Sequence, residues 1–560
     1  MLKEHPRGLF IAFFANMGER FGFYTMVAIF VLFLQAKYGF SSAKAGDIYS
    51  WFLAGVYFLP LLGGFVADKL IGYGKTISLG LIVMFIGYAL LAVPTTREGG
   101  LGFIYGSLIV ISLGTGLFKG NLQALVGNLY DDPKYSSKRD VAFNIFYMGI
   151  NIGAMFAPTA AEEVVNWVLK GKNFFYDARI PALAHSYLDG NLDDTGKYLD
   201  IAQQQDPSVT LGTLSQFSDT YINALGDSYH YGFGVACLSL IVSMIVFWGF
   251  RKYYRHADVT ETQKARRGDT QEHAVVLTRK QTIDRLVALG LVFFVVIFFW
   301  ASFHQNAVCL TYFARDYTVG EVGKFTNLWF DLFGLLPIFL ALLGLYFMLR
   351  KNSAGKIRLL GAIGFVVFAV LAYLRFQGYE SDNPFTPQKF QHFNPFFIVA
   401  LTPLIVALFS WMGKKNIEPS APKKIGIGMM ITSLAFVIMV VGSLGLASPQ
   451  ELEGQVAPQS MLVSPYWLIT TYFTLTVAEL FLSPMGISFV SKVSPPKLKG
   501  LMQGGWLAAT AIGNKLLFIP ALLWEMVPLW LTWFILVVAC LLSAIFIFSI
   551  LKRLERATQN

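Results

Sequence analysis

Apolar stretches of about twenty residues, broken by short polar turns, recur along the whole chain. A hydrocarbon core about 30 Å thick takes roughly 20 residues of helix to cross. By that measure the sequence predicts spans near 9–34, 46–66, 77–94, 101–127, 140–168 and 230–250, then near 283–312, 325–349, 358–377, 395–412, 424–446, 465–490, 500–524 and 529–551. Hydrogen bonding closed inside each helix is what lets such segments sit in lipid. Two polar intervals interrupt the rhythm. One, 169–229, is rich in Asp and Gly. The other, 251–282, holds Arg251, Lys252, Arg255, Lys264, Arg266, Arg267, Arg279 and Lys280 and is long enough to join two bundles. Six spans precede that linker and eight follow it. Two of the eight, at 325–377, form a hairpin turning through Arg350, Lys351, Lys356 and Arg358. The chain divides accordingly: a six-helix bundle at 1–250 with an extracytoplasmic loop at 169–229, a basic linker at 251–282, the first helix of a second bundle at 283–324, the hairpin at 325–377 and the rest of the second bundle at 378–560.

Composition agrees with that pattern. Of 560 residues, 55% are hydrophobic and only 14% charged, where soluble domains carry about a quarter. A disordered chain, a disulfide scaffold and a soluble multi-domain enzyme are excluded. Cys237, Cys309 and Cys540 lie in apolar runs with no metal-ligand spacing, so no metal or cofactor is expected beyond protons as a coupling ion. The net charge of +10 raises the question of nucleic acid, but the cations gather in short loops on alternate sides of the spans. Lys69, Lys75, Lys134, Lys138, Arg139, Lys414, Lys415, Lys423, Lys424, Lys492, Lys497 and Lys499 fall on one side, joined by Lys552, Arg553 and Arg556 in the tail. The positive-inside rule makes that side cytoplasmic, places both termini there and leaves nucleic acid without a binding face. The first apolar stretch exceeds a signal h-region and is expected to stay in the mature protein.

Charges near a bilayer centre cost about 2.5–3.5 kcal/mol each on insertion scales, so those inside spans point to function. The first span carries Asn16, Glu19, Arg20 and Tyr24 on one helical face. Glu19 and Arg20 are a candidate structural pair, but a buried acid beside a cation also has a tunable proton affinity. Lys119, within GTGLFKGN at 114–121, lies too deep to snorkel; its structural alternative is a lysine held by backbone carbonyls. Glu479, mid-span in TVAELFLSP at 476–484, has no cation on its own helix, so its partner comes from another helix or a ligand. His304, followed by Gln305 and Asn306, is either a satisfied core residue or a group that titrates near neutral pH.

Two buried cations in the first half and one unpaired acid in the second make a cleft with opposite charge on its walls. A solute with a carboxylate at one end and an ammonium at the other fits that field. Tyr24, Tyr57, Tyr147, Trp300, Trp467 and Trp506 are candidate pocket walls, each also readable as packing or interface belt. Gly63, Gly64 and Gly72 permit close helix approach at the turn after the second span, where Asp68 is placed to pair across a cytoplasmic gate. Pro337, Pro403, Pro484 and Pro520 are expected to interrupt their helices.

Several of these segments carry a resemblance. NMGERFGFY at 16–24 resembles the ExxERFxYY motif of the proton-coupled oligopeptide transporter family. FYMGINIGA at 146–154 is similar to that family's fifth-helix signature, and Gly63–Gly72 to the facilitator loop motif. FWASFHQ at 299–305, FNPF at 393–396 and ELFLS at 479–483 match further family segments in order, over about 9–552 without the 169–229 loop. The resemblance implies an all-α membrane protein of the major-facilitator fold, two six-helix bundles plus an extra transmembrane hairpin, acting as a monomer in the cytoplasmic membrane. It also implies uptake of di- and tripeptides driven by protons. On the matching positions, Arg20 and Lys119 serve the peptide carboxylate and the proton relay. Glu479, Asn151 and Asn394 hold the amino end and backbone, with Tyr24, Tyr57 and Trp506 in the pocket. Two positions depart: Asn16 replaces the first motif acid, and His304 replaces the acid usual on the seventh helix. An ordinary salt bridge from that position to Arg20 is thereby impossible, and His304 is expected to act as the protonatable gate, with Glu19 the other candidate. The rival is a facilitator for nitrate or another organic anion, which has no use for a buried acid at 479. No zinc motif, nucleophile elbow or Walker loop suggests an enzyme.

Overall fold

The computed structural model describes residues 5–96, 99–260, 263, 277–350, 354–452, 457–495 and 498–559. Lys264, Arg266 and Arg267 of the linker, Lys351 and Lys497 lie outside them. Among the described residues fourteen helices are long and apolar enough to cross a membrane. In the first half these are α1 (Arg7–Tyr38), α2 (Ser42–Ile71), α3 (Tyr73–Ala92), α4 (Leu101–Asn128), α5 (Arg139–Gly171) and α6 (Leu214–Gly249). After the linker come α7 (Arg279–Asp316), a hairpin of α8 (Leu332–Leu349) and α9 (Gly355–Gln377), then α10 (Pro387–Lys414), α11 (Ala421–Gly442), α12 (Tyr466–Val493), α13 (Gly500–Leu523) and α14 (Leu529–Ser549). Helix α1 runs through the middle of its bundle against α5 and α6, while α11 packs on α12 and α14 in the other.

Sequence expectations miss in three places. The sixth span begins at Leu214, not near 230, and the supposed loop 169–229 is folded: helices Ile180–Leu188 and Thr195–Gln205 pack on the extended start of α6. Their apolar positions Ile180, Leu183, Ala184, Tyr198, Ile201 and Ala202 are spaced for one helical face and are buried. The span expected at 325–349 is a short helix, Lys324–Phe330, broken at Asp331 from α8. Pro337, Pro403 and Pro484 lie inside continuous helices. Interruptions fall at Leu59, directly before Pro60, and the π turn Ala67–Ile71 in α2, at the 3₁₀ turn His304–Ala307 in α7, and at Leu516–Leu517 in α13, close before Pro520 as expected. Neighbouring helices re-satisfy backbone groups that a membrane proline frees, which is why a proline need not end a span.

Two glycines set close approaches. A Cβ at Gly63 would sit 2.0 Å from Gly116 O, so only glycine lets α2 touch α4 there. In the hairpin, a Cβ at Gly361 would sit 2.7 Å from Gly344 O. The hairpin is otherwise wrapped in exposed apolar side chains such as Leu359, Ile363, Val366 and Val370, as a lipid-facing pair requires.

The two halves meet chiefly at the end covered by 169–229, here called the cap end. Ser42 N donates to Glu525 Oε1 (2.6 Å), Arg315 Nη1 to Gln35 Oε1 (2.5 Å), Tyr312 Oη to Ser42 O (3.2 Å) and Gln391 Nε2 to Ala28 O (3.3 Å). Lys515 also bonds Asp47 across the same interface. Outside this seal lies a vestibule of about 2000 Å³ roofed by the 169–229 helices. The opposite, linker end carries the described part of the linker.

Candidate functional site

Midway along α1, Glu19 and Arg20 are buried to 0% and 3% exposure. They form a bidentate pair, Nε to Oε2 at 2.5 Å and Nη2 to Oε1 at 2.7 Å, and the guanidinium lies 4.9 Å from the Phe23 ring centre. This planar fork-on-fork geometry takes up both carboxylate oxygens. Asn16 is buried one turn earlier, its Nδ2 without a hydrogen-bond partner among the described residues. Helix α4 brings Lys119 over α2, its Nζ 3.8 Å above the Tyr57 ring. That contact leaves the ammonium's donors for another acceptor, because a ring face offers attraction without accepting all three protons.

Across the interface, Glu479 on α12 accepts a hydrogen bond from Asn394 Nδ2 on α10 at 2.9 Å, and Asn394 also reaches Thr476 Oγ1 at 3.1 Å. The partner of Glu479 thus comes from another helix and is an amide, not a cation. Tyr24 and Tyr57 feel the charge of Arg20 on one side and of Glu479 on the other. The two phenols thus lie within electrostatic reach of the first-half cation Arg20 and of the second-half acid, and Lys119 stands over one of them.

His304 begins the 3₁₀ turn in α7. Its Nδ1 bonds Asn514 Oδ1 on α13 at 2.6 Å, which makes Nδ1 the donor and leaves Nε2 as the acceptor. The ring stacks on Trp300 (centroids 4.9 Å apart) and lies 6.0 Å from Tyr57, within electrostatic reach of Lys119. The first-half cation within reach of the imidazole is therefore Lys119, while Glu19 takes two of the five N–H donors of Arg20.

The remaining candidates sit at the margins. Tyr147 on α5 is exposed, and Asn151 Nδ2 donates back to Tyr147 O at 3.2 Å. Trp506 is buried at 5% exposure with its ring against Gly486, where a Cβ would fall 2.0 Å from it. Trp467 packs on Gly442 and not in the cleft. Asp68 accepts from Tyr73 Oη at 2.8 Å, while Gly63 O accepts from Asn121 Nδ2 at 3.0 Å and Gly64 faces open space. Residues the sequence argument passed over are Asn514 and Thr476 here, and Asp47, Glu162, Arg315, Lys389, Lys515 and Glu525 at the cap-end seal. Glu162 and Lys515 lie inside spans, so the rule that singled out Lys119 would have found them.

Comparison with known proteins fits this geometry. The profile described as POT family matches residues 74–267 and 383–527. A di-/tripeptide transporter of Lactococcus lactis subsp. cremoris is 27% identical over 537 residues, covering 91% of this chain and 88% of the relative. Dipeptide and tripeptide permease A of Erwinia pyrifoliae is 25% identical over 518 residues, covering 91% and 84%. A crystal structure of peptide transporter POT in complex with sulfate superposes with TM-score 0.65 at 21% identity, covering 99% of this chain and 96% of that one. A POT family transporter in complex with 5-aminolevulinic acid gives 0.66 at 19%, covering 98% and 97%. These structural likenesses establish the fold.

Proposed function

The chain belongs to the POT family, and from that premise we propose that it is a proton-coupled symporter importing di- and tripeptides across the cytoplasmic membrane by alternating access. The observation that carries this reading is Glu479, held by Asn394, with Tyr24 and Tyr57 within electrostatic reach of both it and Arg20 and with Lys119 over the Tyr57 ring. A peptide laid across that space offers its ammonium to Glu479 and its carboxylate to Lys119, the cation not already committed to a carboxylate. Arg20, paired with Glu19 through two of its five N–H groups, sets the local potential and keeps three donors for the same carboxylate. Asn394 and Asn151 address the backbone; Tyr24, Tyr57, Tyr147 and Trp506 shape the side-chain space. The proton carriers are His304 and the Glu19–Arg20–Lys119 group, and Asp68, Gly63 and Gly64 form the linker-end gate. That end is cytoplasmic, with both termini, and the unit is a monomer using no cofactor besides protons.

The seal at the cap end supports a cytoplasm-facing state, the one from which peptide leaves. The names of the relatives, di-/tripeptide transporter and dipeptide and tripeptide permease, support the same substrate class. A facilitator for nitrate or another organic anion has no role for Glu479 in a cleft of cations. The test is dialanine uptake into liposomes holding the purified protein, driven by an inward proton gradient. Accumulation above equilibrium that collapses with a protonophore supports symport; equilibration without accumulation refutes it.

A further inference from the structure

Most cross-half contacts at the cap end involve a neutral partner or an exposed charge. Glu162 on α5 is different. It is 2% exposed; its Oε1 accepts from Thr386 Oγ1 at 2.7 Å, and Lys389 Nζ lies 3.1 Å from Oε2. Thr386 and Lys389 stand where the chain enters α10, so the cluster ties the first half to the second where α5 packs on the 387–392 turn and on α10. Glu162, Thr386 and Lys389 also line the vestibule, which puts the carboxylate against the outer solution's side of the seal.

An ion pair is a poor way to seal two apolar surfaces. Well-packed hydrophobic residues would hold as firmly, and removing one partner of a buried pair leaves an uncompensated charge. Its distinctive property is that one proton abolishes it. The surrounding charges are otherwise occupied. On its own helix Glu163 is the neighbouring acid. From the 387–392 turn, His392 Nε2 bonds Trp329 O at 2.9 Å. From α1, Lys37 is bonded to His230 and Thr95 O; from α6, Asp227 pairs with Lys172 at 2.7 Å. From the end of α7, Arg315 pairs with Asp316 at 2.6 Å, and beyond His392 α10 carries no Asp, Glu, His, Lys or Arg before Lys414. Lys389 is the cation in bonding distance of Glu162 among the described residues.

We propose that Glu162 is an outer proton site that latches the cap end. A proton moves from vestibule water onto the Glu162 carboxylate, the pair with Lys389 becomes a neutral acid beside a cation, and α5 parts from 386–389 so that the vestibule opens to the peptide site. Loss of that proton restores the latch. The inference rests on the transport reading for its purpose, but not for its measurement.

Spin labels on cysteines at Asn191 and Gln450, exposed vestibule positions in the first and second halves of the chain, report opening in the full-length protein in liposomes without substrate. With the latch, the long-distance population rises on acidification from pH 8 to pH 5. Glu162→Gln holds at least a fivefold larger long-distance population at pH 8 and does not respond to pH. Thr386→Val keeps the ion pair and therefore the response. Lys389→Gln, which removes the pair from the other side, moves the midpoint of opening at least one unit to higher pH. A wild-type population and response in Glu162→Gln overturns the proposal, as does an unshifted midpoint in Lys389→Gln should the first variant not fold. Dialanine counterflow, which needs no proton gradient, is measured alongside. Its absence from the wild type defeats the transport reading and leaves the distance measurements to judge the latch.

Discussion

In the proposed transport cycle, the buried charge of Glu479, held by Asn394, selects the cargo. Asn394 satisfies one carboxylate oxygen and leaves the other for a donor from the cleft. A hydrogen bond to a charged group is worth about 1.5–3 kcal/mol, or roughly ten- to 150-fold. Glu479→Gln is expected to lower the uptake efficiency (kcat/KM) for dialanine by that factor. Uptake of N-acetyl-dialanine, which has no ammonium, should be poor in both forms and barely changed. An equal loss for the two peptides would show that Glu479 acts on the helix and not on the amine. His304 makes a second residue-scale case. With Nδ1 tied to Asn514, Nε2 is the nitrogen left for a proton in the proposed cycle. His304→Gln should flatten the acid-stimulated part of uptake while leaving pH-independent counterflow at no less than about half; retained pH dependence assigns the proton to Glu19 and its neighbours. The sequence named Glu19, Arg20, Lys119, His304 and Glu479 because charge inside an apolar span is rare. It did not name Asn514 or Thr476, since amides and hydroxyls are common in spans and their partners lie on other helices. Nor is the bidentate pairing of Glu19 with Arg20 legible there, being a matter of side-chain direction between adjacent residues.

At the scale of helices, hydropathy located all fourteen spans but misjudged where they bend. Proline marks the break in α13 beside Pro520, yet α8, α10 and α12 pass through Pro337, Pro403 and Pro484. The turn at His304–Ala307 has no proline or glycine to announce it. The 169–229 segment was misjudged because its two helices are short, and their apolar stripes are legible only at a spacing of three and four. The hairpin shows how an element is anchored from outside the bilayer. Asp331 caps α8 through Phe333 N at 3.0 Å and binds Arg375 Nε at 2.6 Å and Tyr379 Oη at 2.8 Å. Burial alone would raise the proton affinity of that carboxylate, but the bonds from Arg375 and Tyr379 outweigh it and hold Asp331 below its ordinary value. A depressed folded-state value means the stabilisation is present above the unfolded value of about 3.9 and is lost as pH falls through the folded one. Asp331→Asn should therefore lower the Tm relative to wild type at pH 7, and the gap should close progressively below about pH 4. A gap that persists unchanged in acid would mean that the amide fails for steric reasons and not for loss of charge.

For the molecule as a whole, the decisive quantity is the charge that crosses the membrane in one cycle. At their ordinary charges Glu19 and Glu479 balance Arg20 and Lys119, so a neutral zwitterion adds nothing to the site and the coupling proton carries the net movement. One charge crossing 100 mV is worth about 2.3 kcal/mol, which at about 1.4 kcal/mol per decade is roughly fifty-fold accumulation. If the proton number is fixed at one, the peptide's own side chain must add to or subtract from that charge. With no pH gradient and a potassium diffusion potential of about 100 mV, inside negative, dialanine should accumulate more than tenfold. Alanyl-lysine, moving two charges, should respond more steeply to voltage, while alanyl-aspartate, moving none, should not respond. Uptake currents on a supported membrane give the same ordering by sign and size. Equal voltage dependence for the three peptides would mean that the proton count adjusts to the cargo. The fixed balance of Glu19, Arg20, Lys119 and Glu479 would then give way to a site whose own carboxylates gain or lose a proton with each substrate.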